Sequence, residues 1–292
     1  MSTHSLPRIT VITPSFNQAI FLERTIRSVL DQNYPNLQYG IVDGGSTDGS
    51  AAIIEKYQDQ LDFAIIESDN GQVDAINKGL RRANGDILCY LNSDDTFLPG
   101  SLFSIANYFI ENSTCNWLIG NCVEIDADDK PLRRLNTTPV NTLAHALIRS
   151  QRLEIPQPAI FWRKSLTDQL GLFDESYNFA FDYDLWCRFL AAGQTLHKIN
   201  VDLATYRLHD QSKTCSLQIG FIENHLRIEK HHAHLLQLKD RVKLSRFLGY
   251  RHRQYALLQT TGRPWKHILT HPWWLASQQI WSRLLSPLPQ TT

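Results

Sequence analysis

Within about its first 110 residues the chain repeats one pattern four times: a short apolar, often β-branched run, a polar turn, then a stretch with apolar residues at helical spacing. The runs are RITVITP (8–14), LQYGIV (37–42), FAIIE (63–67) and ILCYL (87–91), of strand length and bounded by turn residues. The helical stretches carry Phe21, Ile26, Val29 and Leu30, then Ile54 and Tyr57, then Val73, Ile76 and Leu80, then Leu102, Ile105 and Phe109. Strand then helix, repeated in this way, predicts a mostly parallel sheet with helices on both faces. Sheets of that kind bind ligands at the carboxyl ends of their strands. Asp43, Asp69 and the pair Asp94 and Asp95 all sit in turns that follow a strand, so they are expected along one edge.

The segment GDILCYLNSDD (85–95) states the pattern most sharply, with five uncharged residues, Ile87 to Leu91, ending at a polar pair and two adjacent carboxylates. By itself it also fits a polar turn that merely ends a strand, since Asp and Ser favour turns for local hydrogen-bonding reasons. The convergence of several acid-bearing turns on one edge favours chemistry.

With 292 residues, 42% of them hydrophobic and 20% charged, the chain can bury a sizeable core and is neither disordered nor a stapled mini-scaffold. Its 29 Lys and Arg balance its 29 Asp and Glu, but residues 241–292 hold eight basic residues and no acid. The neutral total gives no nucleic-acid signature, whereas an acidic body with a basic tail points to a partner or a membrane surface. Trp265, Trp273, Trp274 and Trp281 lie in that tail among Leu, Lys and Arg. Two readings fit: a helix in a lipid interface with its cations toward anionic lipid, or a helix packed on the acidic body or on a second copy. The five cysteines (Cys89, Cys115, Cys122, Cys187, Cys215), widely spaced and without Cys-x-x-Cys, fit reduced thiols in the cytosol. Without an apolar leader or an 18-residue apolar run, the expected location is cytoplasmic, with peripheral contact at the inner membrane face.

Further along, residues 117–125 read as a strand, 126–129 as a solvated turn with a return strand near Leu132, and IPQPAIFWR (155–163) as an extended segment that two prolines keep from being helical. Asp182 falls in the first turn of a helix marked by Leu185, Phe189 and Ala192, where a carboxylate is also a normal capping residue. Short strands are expected at 195–199 and 204–207, followed by His209 in a loop and by helix from about Cys215. His231, His232 and His234 invite a metal reading, but no His-Glu-x-x-His accompanies them.

No Gly-x-Gly-x-x-Gly and no phosphate-loop lysine signature is present, which disfavours dinucleotide oxidoreductases and P-loop nucleotidases. Acids at strand ends can still hold Mg²⁺ or Mn²⁺, which favour oxygen ligands shared with substrate phosphates. The segments TPSFN (13–17), VDGGSTD (42–48), LNSDD (91–95) and DYDLWCR (182–188), in this order and spacing, resemble family 2 glycosyltransferases of the GT-A fold over roughly residues 8–215. The resemblance implies an α/β, Rossmann-like, mostly parallel sheet flanked by helices. It divides the chain into a glycosyltransferase domain, 1–214, and a basic, Trp-rich helical extension, 215–292, the domain having a nucleotide-sugar half to about 126 and an acceptor half from 127. It implies a nucleotide-sugar donor, a glycan or lipid-linked acceptor, and Mn²⁺ or Mg²⁺. Residue by residue, it implies Asp43 at the nucleotide base, Pro14, Ser15 and Asn17 at the donor, Asp94 near the sugar-nucleotide and Asp95 on the metal. Asp69, Gln72 and Lys78 would lie where the chain closes over the nucleotide, and His209 would be a further metal or diphosphate contact. Asp182 would be the catalytic base, with Asp184 as its substitute; the family's preceding Glu is Phe181 here.

Such a site would perform one in-line displacement that inverts the anomeric centre, with a base for the acceptor proton and a cation for the departing diphosphate. Two other functions stay open on the residues. A nucleotidyltransferase on a similar sheet would want a Gly- and Lys-rich phosphate loop, which residues 15–17 lack. A catalytically silent nucleotide-sugar-binding or assembly protein has Phe181 as its only hint.

Overall fold

Strand β1 (Ile9–Ser15) is buried along its whole length, as an apolar run with a sheet neighbour on each side has to be. It pairs in parallel with β2 (Leu37–Asp43) on one side and β4 (Ile87–Tyr90) on the other, and β2 pairs in parallel with β3 (Phe63–Ile66). The computed structural model describes residues 5–149, 154–209 and 218–258; Cys215 and the Trp-rich tail lie outside the described residues. Helices α1 (Ala19–Leu30), α2 (Ser50–Lys56) and α3 (Gln72–Arg82) carry the chain back between these strands, and α4 (Ser101–Glu111) follows. The register puts Ser15 beside Asp43 and Asp43 beside Ile66, while Leu91 N–H donates to Ile12 O (2.9 Å). The carboxyl ends of all four strands therefore meet at one edge.

The sheet continues through β5 (Thr96–Phe97), β6 (Trp117–Ile125), β7 (Pro131–Leu135), β8 (Ile160–Arg163) and β9 (Leu196–Arg207), in the order β3-β2-β1-β4-β8-β6-β9-β5 with β7 on β6. The α/β class expected from the sequence holds, but parallel pairing is confined to β1–β4 and to β6 with β9. Strand β8 runs antiparallel to both neighbours, β4 and β6. The chain reaches it through the extended Pro156 and one tight turn, Gln157–Ala159, with no crossover helix directly before it of the kind a parallel strand needs. The two strands expected at 195–199 and 204–207 are one. The register of β9 against β6 slips between Ile119 and Asn121 and again before Cys122, so pairing resumes beyond the irregularity. Gly120 permits this, since a Cβ there would stand 2.3 Å from the Leu203 side chain.

Helices α5 (Leu143–Arg149), α6 (Lys164–Leu170) and α7 (Phe181–Ala191) belong to the second half of the sheet. Helix α8 (Gln218–His232) then packs on α7, and α9 (Leu238–Leu258) on α8 and α5. Cys89, Cys115, Cys122 and Cys187 are buried free thiols. Among the described residues no helix is long and apolar enough to cross a membrane.

Gly85, which opens the approach to β4, lies against the backbone of β1. A Cβ there would stand 2.8 Å from Thr10 N and 2.9 Å from Arg8 O, atoms that cannot move without breaking the pairing. Gly85→Ala is expected to destabilise the fold by about 1–3 kcal/mol, read as a lower midpoint of denaturant unfolding at unchanged slope. An unchanged midpoint would contradict this packing.

Candidate active site

The loops that follow β1 and β2 are stitched to one another. Asn17, in the left-handed region (φ 52°), donates its N–H to Ser46 Oγ (2.8 Å) and accepts Thr47 N–H on Oδ1 (2.9 Å). Asp48 accepts Ala19 N–H at the start of α1 (2.8 Å). Burial works against ionising Asp48, but hydrogen bonds from Ser50 Oγ and from the N–H groups of Ala19 and Ser50 outweigh it and hold the carboxyl below its usual range. Asp43 is wholly buried and accepts Gly45 N–H (3.1 Å), Ser46 N–H (2.7 Å) and Ser46 Oγ (2.6 Å). Its carboxylate orders the rim on which the resemblance places the nucleotide base. Asp69 accepts Gly71 N–H (2.8 Å) and backs onto Gly44, where a Cβ would stand 2.6 Å from its Oδ2. Lys78 is not an unengaged donor contact either. Its Nζ lies 2.9 Å from Glu67 and 3.5 Å from Asp74, and the hydrogen bond to Glu67 leads in holding its proton more firmly than usual.

Pro14 is the penultimate residue of β1, opposite Val42. Beside it, Ser15 Oγ is buried and has no hydrogen-bond partner among the described residues, while the ring of Phe16 is 60% exposed. A buried hydroxyl left unpaired costs roughly 1–3 kcal/mol, which a polar ligand at this rim would relieve.

The turn after β4 sorts its two acids. Asp95 is 1% exposed; Oδ1 accepts Arg207 N–H (2.9 Å) and Oδ2 accepts Asn92 Nδ2 (3.3 Å). Burial first, then the neighbouring Asp94, pushes the Asp95 carboxyl well above the usual range. Asp94 is less buried, and its Oδ2 lies 3.0 Å from His209 Nε2. Asp95, the metal ligand implied by the resemblance, is thus held by N–H groups of the protein, while Asp94 and His209 hold each other as an oxygen and nitrogen pair in the same turn. Among the described residues no cluster of three or more His, Cys, Asp or Glu could hold an ion alone. An ion that shares its shell with substrate phosphates needs only one or two protein ligands, and Asp94 with His209 fit that requirement.

Arg207, which carried no signal in the sequence, organises this turn. Its side chain is 0% exposed, donating from Nε to Asp94 O (2.8 Å), from one terminal nitrogen to Asp126 O (2.9 Å) and Ala127 O (3.3 Å), and from the other to the Asp129 carboxylate. Beneath the turn, Asn92 accepts from Gln72 Nε2 (2.7 Å) and donates to Gln157 Oε1 (3.3 Å), so Gln72 supports the acid turn from α3.

Asp182 lies in the first turn of α7, part-buried, with Oδ1 accepting Tyr183 N–H (2.8 Å). Burial raises its carboxyl above the usual range in spite of that bond. The phenol of Tyr90 is pushed well up by burial first, and then by the charges of Asp182 and Asp95. Phe181, which replaces an acid, packs its ring on Tyr90 (6.1 Å between centroids). Asp184, the substitute base the resemblance offers, is paired instead: Arg188 Nε and His232 Nε2 each lie 2.9 Å from its carboxylate. Burial opposes ionisation of Asp184, but His232 and then Arg188 hold it below the usual range. The same contact removes His232 from any metal reading.

The description Glycosyl transferase family 2 matches residues 10–170, more than half of the chain. TuaG of Bacillus subtilis (strain 168), named for teichuronic acid biosynthesis, is 29% identical over 226 residues, which cover 72% of this chain and 82% of TuaG. Among solved structures, residues 1–349 of S. aureus TarS in complex with UDP-GlcNAc superpose with a TM-score of 0.66 at 19% identity, covering 86% of this chain and 74% of that one. The mannosyltransferase PcManGT from Pyrobaculum calidifontis, in complex with GDP-Man and Mn²⁺, superposes with a TM-score of 0.58 at 17% identity, covering 96% and 84%. These likenesses give the fold as GT-A. With the acid turns gathered at one sheet edge and the family match running through them, the chain belongs to glycosyl transferase family 2 and is a glycosyltransferase.

Proposed function

We propose that this glycosyltransferase moves a sugar from a nucleoside-diphosphate sugar to a hydroxyl of a glycan or lipid-linked acceptor, inverting the anomeric carbon, with Asp182 as the base. The observation that carries the reading is the packing of Phe181, the residue before Asp182, on Tyr90 (6.1 Å between ring centroids), the last residue of the strand that leads into the acid turn 94–95. The UDP-GlcNAc bound to TarS and the GDP-Man bound to PcManGT support the donor class, and the teichuronic acid role in TuaG's name supports polysaccharide synthesis. The family match sets the nucleotidyltransferase alternative aside.

In this reading Asp182 takes the proton of the acceptor hydroxyl as its oxygen bonds to the anomeric carbon. The bond from that carbon to the diphosphate breaks, and its electron pair leaves on the phosphate oxygen. The elevated affinity of buried Asp182 for a proton makes it a stronger base than an exposed carboxylate. Ser15 Oγ and the exposed ring of Phe16 offer a hydrogen bond and a stacking face for the nucleoside. A divalent cation, Mn²⁺ or Mg²⁺, held by Asp94 and His209 would supply positive charge to the departing diphosphate. On α9, Leu238 (77% exposed) and Val242 stand beside exposed Lys239, Lys243 and Arg246, which supports contact of the basic extension with an anionic membrane surface.

Asp182→Asn is expected to lower nucleotide release from the donor by about 10²–10⁴-fold while donor affinity in calorimetry stays within about twofold; undiminished turnover would remove Asp182 as base. Because the base acts ionised and burial raises its pKa, the acid limb of the rate profile should lie above the ordinary value of 3.8, and a limb at or below that value counts against the assignment. The same shift means that stability attributable to the neutral carboxyl is complete below the unfolded-state value and is lost as pH rises through the folded one. UDP or GDP should raise the melting temperature further when Mn²⁺ or Mg²⁺ is present, and Asp94→Asn or His209→Ala should abolish the metal-dependent part. A metal-dependent shift that survives both substitutions would return the ion to Asp95.

A further inference from the structure

Helix α8 grips the segment around Asp182 from both sides. Gly220 lets its backbone approach Phe179, where a Cβ would stand 2.6 Å from the ring, and Phe221 packs on the same ring (5.0 Å between centroids). His225 lies over the ring of Tyr183 (4.6 Å), and His232 Nε2 meets Asp184 (2.9 Å) with both side chains buried. Arg227 donates to Ser176 O and Ser176 Oγ (2.9 Å each) and lies over the ring of Tyr177 (4.5 Å). Phe221, His225 and His232 recur at four- and seven-residue steps on one stripe of the helix, with Gly220 next to Phe221, and these residues touch residues 179, 183 and 184. Asp182 lies between those contacts in sequence, and its neighbour Phe181 packs on Tyr90 (6.1 Å between centroids). The Asp184 carboxylate held by His232 also holds Arg188, whose terminal nitrogens donate to Leu170 O (2.8 Å), Gly171 O (3.2 Å) and Leu172 O (2.8 Å). One imidazole therefore fixes an acid that links the first turn of α7 to the loop before it.

We propose that α8 is a brace for the catalytic helix and that His232, acting through Asp184, is a positioning residue for Asp182. The inference rests on the reading of Asp182 as base. It assigns residues after the family match to the catalytic apparatus, where an extension would otherwise be a docking tail. His232→Leu removes the donor to Asp184, and His232→Gln keeps an N–H in reach of it.

The full chain is tested with UDP-GlcNAc and GDP-mannose, in Mn²⁺, for nucleotide release, and by hydrogen–deuterium exchange without ligand. His232→Leu should lower kcat by about 10–100-fold, the scale of an ångström-sized misplacement, with donor KM within about twofold. Exchange should quicken over 176–184 and stay unchanged over 9–15 and 37–43, and His232→Gln should restore both readouts. Arg227→Ala, an exposed position on the same brace, should move both in the same direction by less and serves if His232→Leu does not fold. Unchanged exchange over 176–184, a loss of donor affinity in step with kcat, or failure of the Gln variant to rescue would each overturn the proposal. Asp182→Asn run alongside separates the two readings. Full activity there ends the base assignment, whereas an inactive Asp182→Asn beside wild-type His232 variants ends the brace alone.

Discussion

A guanidinium closed off from water, that of Arg207, is the interaction on which the edge of this sheet depends. Removing such a charge from solvent costs several kcal/mol unless acceptors replace the water it loses. Here the acceptors are backbone carbonyls of Asp94, Asp126 and Ala127 and the carboxylate of Asp129. They belong to the turn after β4 and the turn after β6, so satisfying one side chain at the end of β9 fixes three strand ends together. Arg24 reaches the 126–129 turn from α1 through Asp129 (2.9 Å) and Ala127 O (3.3 Å), and Phe21 on the same helix lies under both Arg207 and His209 (4.8 Å each). The strand that buries the arginine delivers His209 to Asp94 two residues later. A lysine could not do this, because a single ammonium has neither the fork nor the span to serve separate loops.

What the arginine does for the acid turn, an aromatic layer does for the opposing helix. Trp186 of α7 stacks on Trp117 of β6 (5.5 Å) and meets Trp162 of β8 edge-on (5.7 Å), and Phe173 sits against Trp162, Tyr90 and Phe181. Rings of this size, interlocked at near-perpendicular and stacked angles, allow few alternative packings. Asn77 of α3 closes the layer by exchanging hydrogen bonds with the backbone of Phe173, donating to its O (2.9 Å) and accepting its N–H (3.2 Å). The helix bearing Asp182 is in this way registered against β4 and against α3. Phe181 extends the layer by one ring, against Tyr90 and Phe173.

The strand and helix order was legible because periodicity of two and of about four residues survives in the sequence, and the topology alone then carries Asp43, Asp69, Asp94 and Asp95 to one edge. The place of Asp182 in the first turn of a helix was legible too, through the spacing of Leu185 and Phe189. What the sequence concealed is the direction in which each acid is engaged. Asp43 looks like a presented carboxylate until Gly45 and Ser46 fold back onto it, and Asp95 looks like the outer member of its pair until Arg207 donates a backbone N–H from 112 residues away. Lys78 is neutralised by Glu67, a residue that reads simply as the end of a strand. The antiparallel entry of β8 is a pairing between segments more than 70 residues apart in β4 and β8, and local pattern carries no record of it. His232 was visible only as one of a run of histidines, because its partner lies on another helix.

Of the four non-glycine residues in the left-handed region among the described residues, two lie near the site: Asn17 (φ 52°), two residues after Ser15, and Ala180 (φ 54°), two residues before Asp182. Asparagine visits that conformation more readily than most residues, and Asn17 Oδ1 is tied to the neighbouring loop by accepting Thr47 N–H. Alanine has no such compensation and carries a cost of about 1–2 kcal/mol. That cost persists only where the surroundings over-determine the conformation. Around Ala180 they do: Phe179 is held by Phe221 on one side and Phe181 by Tyr90 and Phe173 on the other. The chain is thus driven through a sharp, unfavourable corner by rings packed before and after it, and the first peptide units beyond the corner carry Asp182. A carboxylate carried just beyond such a corner has its backbone position set by packing on both sides, the preorganisation that the proposed in-line displacement would use.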